Sequence, residues 1–212
     1  MKEKKYLDIV RHYEACLKEH GDTHLGVDWP RKEHADTRYK IMLDVIRDRS
    51  AKSTLLDFGC GASHLLEYMR RNDYADVAYA GLDISENFIA LSRKKFPDVT
   101  YFCVDILDTP QDVGRYDYIV MNGVFTEKRG LSFDDMFAYF REMILTLFEK
   151  CDVGAAFNVM SKQVDWERDD LFHLPLDLLA EFLTKRVTRH FVVRNDYGLY
   201  EYTVYLYRQP SR

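Results

Sequence analysis

No apolar run in the sequence reaches the roughly 18 residues that a membrane-spanning helix needs. The opening stretch, Met1-Lys-Glu-Lys-Lys-Tyr-Leu-Asp-Ile-Val10, is too polar for a signal peptide, so a cytoplasmic protein is expected. An excess of positive charge is missing as well. Thirty Lys and Arg stand against 35 Asp and Glu, a formal net charge of −5, and nothing in the bulk electrostatics draws the chain to nucleic acid or to an anionic membrane; neither is expected as a partner. The four cysteines, Cys16, Cys60, Cys103 and Cys151, are too scattered for a CxxC metal site or a secreted disulfide framework, and reduced thiols are expected. Repeats, low-complexity tracts and linkers are absent too. The 212 residues, 47% of them hydrophobic, therefore read as one domain, 1–212, with 1–50 as an N-terminal helical cover.

From about residue 53 onward, short apolar runs alternate with segments of helical period, the pattern of a parallel sheet with crossover helices. The strands read as Thr54–Phe58, Val77–Leu82, Val99–Val104, Tyr116–Met121, Gly154–Val159, His190–Arg194 and Tyr200–Tyr207. Helices read near Ser63–Arg71, Ser85–Lys95, Phe133–Glu149 and Leu176–Lys185, and before the first strand over Glu3–Lys18 and Lys32–Arg49. Asn195-Asp-Tyr-Gly198 is too short for a crossover, so the last two strands form an antiparallel hairpin at the sheet edge. The expected fold is α/β: a Rossmann-like, doubly wound sheet of seven strands, mostly parallel.

The strongest local signal is Leu55-Leu-Asp-Phe-Gly-Cys-Gly-Ala-Ser-His64, an apolar strand that ends in Asp57 and a glycine turn and then enters a helix. Gly59 and Gly61 permit a sharp turn and a close backbone approach to a ligand. By itself, Gly-x-Gly also describes an ordinary tight turn. The second strand, however, ends in Gly81-Leu-Asp83, which sets a carboxylate where a ribose presents two hydroxyls. The third ends in Val104-Asp105-Ile106 and the fourth in Met121-Asn122-Gly123. All four ends fall on the carboxyl edge, where open α/β sheets bind ligands. A dinucleotide dehydrogenase shares the glycine turn and the later acid, but its fingerprint requires Gly or Ala at the sixth position, where this chain has His64.

On these residues the stretch 50–207 resembles the class I methyltransferases that use S-adenosylmethionine (SAM). The resemblance implies that Asp57, Gly59, Cys60 and Gly61 hold the methionine part of the cofactor. It also implies that Asp83, with Ile84, holds the ribose, that Asp105 and Ile106 meet the adenine, and that Asn122 and Gly123 complete the site. The product is then S-adenosylhomocysteine (SAH). Ser63 stands where the family has a third glycine. The segments Ala156–Pro175 and Arg194–Tyr202 are similar to small bacterial methyltransferases of surface-glycan and specialised-metabolite pathways, which implies a small-molecule or sugar-containing acceptor methylated at oxygen or nitrogen. The alternatives are an NAD-dependent oxidoreductase and a SAM-binding module without catalysis.

Nucleobase and amide methyltransferases commonly carry Asn/Asp-Pro-Pro-Tyr after the fourth strand; Asn122-Gly-Val-Phe125 departs from it. No metal is expected. His20 and His24 have helical spacing, but Gly21 interrupts them and no third ligand follows, while Asp165, Glu167, Asp169 and Asp170 read as a solvated acidic loop. Strand direction puts Thr126–Gly130 and Ser161–Leu174 on the acceptor side, which makes His173 the candidate general base, with Tyr197 as the alternative. His190, at the start of a parallel strand, belongs at the opposite edge. Trp29, His34, Arg38 and Tyr39 are candidates for a closing lid.

Overall fold

The computed structural model describes residues 4–211. Its sheet has the order β3-β2-β1-β4-β5-β8-β7, built from β1 (Ser53–Phe58), β2 (Val77–Asp83), β3 (Thr100–Cys103), β4 (Tyr116–Phe125), β5 (Cys151–Ser161), β7 (Phe191–Arg194) and β8 (Glu201–Tyr207). Strands β1 to β5 run parallel, and β8 pairs antiparallel with both β5 and β7. The seven expected strands are therefore present in a doubly wound, mostly parallel sheet with the C-terminal hairpin at its edge. The two-residue strand β6 (His173–Leu174), parallel to the end of β5, is an addition that no periodicity announces.

Among the described residues six α-helices accompany the sheet: α1 (Leu7–His20), α2 (Lys32–Leu43), α3 (His64–Arg71), α4 (Glu86–Lys95), α5 (Phe133–Glu149) and α6 (Leu176–Arg186). The first was expected over Glu3–Lys18; Glu3 lies outside the described residues, and the helix continues to His20 before Gly21, at φ +63, stops it. Helix α2 was expected to reach Arg49 but ends at Leu43. Beyond it the N–H groups of Val45 and Ile46 turn back three residues to Met42 and Leu43, and both side chains are buried. Their apolar spacing imitates a further helical turn, whereas packing against the sheet bends the chain. Ser85 and Ser132 cap α4 and α5 by accepting from the N–H groups of Phe88 and Asp135.

Alternating β1 residues serve opposite faces. Leu56 joins α5 and α6 through Phe140, Ile144, Leu179 and Leu183, while Leu55 joins α2 and α3 through Met42, Leu65 and Met69. Phe140 is the hub of the first layer, with ring centroids 5.0 Å from Phe125, 5.3 Å from Phe157 and 6.0 Å from Phe172. This two-sided core holds the carboxyl ends of β1, β2 and β4 in register, with Asp57 beside Gly81 and Val120.

Candidate cofactor and acceptor site

After Phe58 the chain turns under its neighbour: the N–H groups of Gly59 and Cys60 both donate to the Leu82 carbonyl, at 2.8 and 3.0 Å. Gly59 has φ +72, and a Cβ there would stand 2.6 Å from Val124 Cγ2, so the turn requires glycine. The Gly61 N–H donates to Asp83 Oδ2 and the Ser85 N–H to Oδ1, both at 2.9 Å, which orients the carboxylate and leaves lone pairs on each oxygen. Ser63, in the place of the third glycine, adopts the left-handed conformation at φ +58. Its hydroxyl bonds Ser92 Oγ (2.8 Å) and Tyr101 OH (2.9 Å), and Ser92 Oγ donates to the Gly61 carbonyl (2.8 Å). A buried hydroxyl network thus stabilises a backbone conformation that costs a non-glycine residue about 1–2 kcal/mol.

These turns form the floor of a cavity enclosing about 1130 Å³, open solvent at its mouth included. Asp57, Gly59, Cys60, Gly61, Asp83, Ile84, Asp105, Ile106, Asn122 and Gly123 all line it. The roof is N-terminal. Tyr6, Ile9, Val10 and Tyr13 present one face of α1 at i, i+3, i+4 and i+7, joined by Val27, Trp29 and Tyr39. That amphipathic spacing was legible in the sequence as a helix, yet nothing in it said which way the face pointed. Polar contacts fasten the roof to the floor: Lys4 Nζ and Tyr6 OH donate to Asp105 Oδ2 (2.5 and 2.6 Å), Ser85 Oγ donates to Glu14 (2.5 Å), and Asp22 meets His64 (2.8 Å) and Lys95 (2.9 Å). Of the proposed lid residues, Trp29 and Tyr39 line the cavity, Arg38 lies behind Trp29, and His34 does not line it.

Burial dominates the electrostatics of the floor at Asp57 and Asp83. Burial pushes the Asp57 carboxyl up to about 7, against the lowering effect of the Tyr79 hydroxyl (2.8 Å) and with a further push from Asp83. Burial also raises Asp83, opposed by its backbone N–H donors. At Asp105 burial acts upward too, but the Lys4 and Tyr6 hydrogen bonds outweigh it and hold the carboxyl below its ordinary value. Asn122 Oδ1 is buried and has no hydrogen-bond partner among the described residues. Raised carboxyls and an orphaned acceptor around one cavity suit a ligand with cationic centres and N–H donors.

The acceptor-side expectations are placed differently. Neither 126–130 nor 161–174 lines the cavity, because the two segments close on each other: Phe172 N–H donates to the Thr126 carbonyl (2.8 Å), Lys128 and Arg129 N–H to the Asp170 carbonyl (2.8 and 2.9 Å), and Glu127 bridges to Leu171. His173 is buried within β6, its Nδ1 donating to the Ser161 carbonyl (2.7 Å) and its Nε2 accepting from Arg168 N–H (3.4 Å). Both ring nitrogens are committed to structure. Tyr197 also stands off the cavity, its hydroxyl paired with Thr203 Oγ1 (2.9 Å) and its ionisation pushed upward, chiefly by burial. His190 precedes β7 at the edge opposite the glycine turn, as strand direction required. The fold also gathers His12, Cys16 and Asp28, whose donor atoms lie within 4.8 Å of one another; the His12–Asp28 hydrogen bond is 2.8 Å.

Fold and floor together define a Rossmann-like α/β protein built to hold a nucleoside-type cofactor at the carboxyl edge of its sheet. Residues 55–147 match the family model described as a methyltransferase domain. A Mycobacterium tuberculosis protein named as a methyltransferase is 26% identical over 160 residues, covering 73% of this chain and 92% of that one. A Streptomyces venezuelae dTDP-3-amino-3,4,6-trideoxy-alpha-D-glucopyranose N,N-dimethyltransferase is 36% identical over 66 residues, 31% of this chain and 27% of that one. Among solved structures, the magnesium protoporphyrin IX methyltransferase of Synechocystis with bound SAM superposes with a TM-score of 0.65 at 16% identity, covering 99% of this chain and all of that one. Residues 55–147 are thus similar to a methyltransferase domain, and the chain has the fold of the SAM-bound Synechocystis methyltransferase.

Proposed function

We propose that the protein transfers the methyl group of SAM to an oxygen or nitrogen of a small molecule, a sugar-containing acceptor or glycan precursor, in the cytoplasm. The observation that carries this reading is the roofed cavity: α1 and Trp29 close over a floor on which the glycine turn, Asp83, Asp105 and Asn122 all meet. The net charge of −5 and the acidic floor argue against a nucleic acid acceptor. No helix is long and apolar enough to cross a membrane among the described residues. The Streptomyces relative acts on an amino sugar by its name, which favours including such acceptors in any search.

SAM supplies an activated methyl group, and the ten floor residues are the proposed cofactor shell. Asp57 and the glycine turn serve the methionine end, Asp83 the ribose hydroxyls, Asp105 and Ile106 the adenine, and Asn122 and Gly123 the amino-acid end. What remains for the protein is to align the acceptor and exclude water, which the α1 roof does. An uncharged amine asks for little beyond that orientation, whereas a hydroxyl gains from a general base. His173 and Tyr197, engaged away from the cavity, are not proposed for that role. The test is transfer of labelled methyl from SAM to a panel of amino and hydroxy sugar nucleotides, small alcohols and amines, tRNA and DNA. Transfer confined to nucleic acid would overturn the reading.

A further inference from the structure

The end of β4 is tied to the N-terminal segment by a buried polar chain outside the cofactor floor. Gly123 N–H donates to Asn158 Oδ1 at 2.8 Å, and Asn158 Nδ2 donates to Glu201 Oε1 at 3.0 Å. Asn158 is fully buried on β5 and Glu201, at the start of β8, is 1% exposed. Arg38 of α2 grips that carboxylate with Nε (2.9 Å) and Nη2 (2.7 Å) to Oε2. Its guanidinium lies 4.1 Å from the centre of the Trp29 ring, and the indole covers Gly123 so closely that a Cβ there would stand 2.7 Å from Trp29 Cζ2. The chain of contacts therefore closes on the residue where it began.

Charge gives this loop a direction. A carboxylate only accepts, so Glu201 obliges Asn158 to turn its NH₂ toward β8 and its oxygen toward Gly123. The Gly123 N–H is thereby fixed toward Asn158. Across the same trans peptide, the Asn122 carbonyl leaves on the opposite side, at a residue that lines the cavity and whose buried side-chain oxygen has no partner among the described residues. Gly123, at φ +78 and without a Cβ, offers little steric resistance to a peptide flip, so an external hydrogen bond has to choose its orientation.

We propose that Arg38, Glu201 and Asn158 are positioning residues that set the Asn122–Gly123 peptide for the amino-acid end of the cofactor, so that Trp29 and the α2 segment are coupled to cofactor binding. The proposal rests on the assignment of Asn122 and Gly123 to that end. It calls for ligands that differ only there: SAH, and 5′-methylthioadenosine, which has the same nucleoside and no amino-acid group. Calorimetric titration of the full chain is compared for wild type, Glu201→Gln, which frees the Asn158 amide to turn over, and Arg38→Lys, which keeps the charge but loses the two-pronged grip.

Both variants are expected to weaken SAH by about tenfold or more, as for loss of a fixed buried hydrogen bond, and to leave methylthioadenosine within twofold of wild type. General damage to the fold weakens both ligands by one factor, and that result, or unchanged SAH affinity in a folded variant, overturns the proposal. If Glu201→Gln does not fold, Arg38→Lys carries the same comparison. Wild type binding methylthioadenosine and SAH equally well removes the assignment of the amino-acid end itself.

Discussion

Replacing Asp57 by Asn tests the electrostatics of the floor without touching its shape. The side chain is 3% exposed, and an amide oxygen in place of Oδ2 still accepts the Tyr79 hydroxyl at 2.8 Å. Burial, with Asp83 adding to it, raises the carboxyl from 3.8 to about 7. An acid whose folded value is raised binds its proton more tightly in the native state than in the unfolded chain. Its contribution is therefore neutral below about pH 4, and stability is lost progressively as pH rises from about 4 to about 7. About three units at 1.36 kcal/mol each set an upper bound of ~4 kcal/mol on what ionised Asp57 costs the folded protein at pH 8. Asp57→Asn should unfold at higher urea than wild type at pH 8, and the gap should close toward pH 4.5. The assay is urea unfolding followed by circular dichroism at half-unit steps of pH. Asp83 and Glu127, also raised by burial, slope both curves in the same sense, so the difference reports Asp57 together with its coupling to Asp83. Parallel curves over pH 4.5–8 would refute the reasoning, since an ionisable buried carboxyl and an amide cannot then differ in proton uptake.

Asp83→Ala should weaken SAM by at least tenfold in calorimetric titration while shifting the melting temperature by only a few degrees, because it deletes an acceptor that the turn orients toward the cavity; unchanged affinity in a folded variant would remove Asp83 from the ribose site. His173→Ala should cost about 1–3 kcal/mol of stability, since Arg168 N–H and the Ser161 carbonyl each lose a partner, with turnover at saturating acceptor largely retained. A tenfold or greater fall in turnover in a folded variant would restore the imidazole as a general base. Exhaustive chelation should leave methyl transfer intact. Loss on chelation, restored by a divalent cation and abolished in Cys16→Ser, would instead make His12, Cys16 and Asp28 a metal site.

What the sequence determined by itself follows from short-range physics. The periods of apolar residues, the glycine turn after β1 and the acids at the ends of β2 and β3 are local patterns, and strand direction carries them to one edge; all ten residues chosen that way line one cavity. The Asn195–Gly198 turn likewise announced the antiparallel hairpin, because the six residues between β7 and β8 allow no crossover. Long-range pairing lay beyond such patterns. Nothing near His173 shows that the segment containing it will pair with 126–129 and bury the ring, and nothing near His12 shows that Asp28 will fold back onto it. The stop of α2 at Leu43 is of the same kind, since Val45 and Ile46 keep the helical period and only the sheet decides that they bury without it. Arg38, Asn158 and Glu201 come from three elements, up to 163 residues apart, and each alone is an ordinary polar residue. Tertiary packing made them one buried unit, because charges and amides removed from water must find one another.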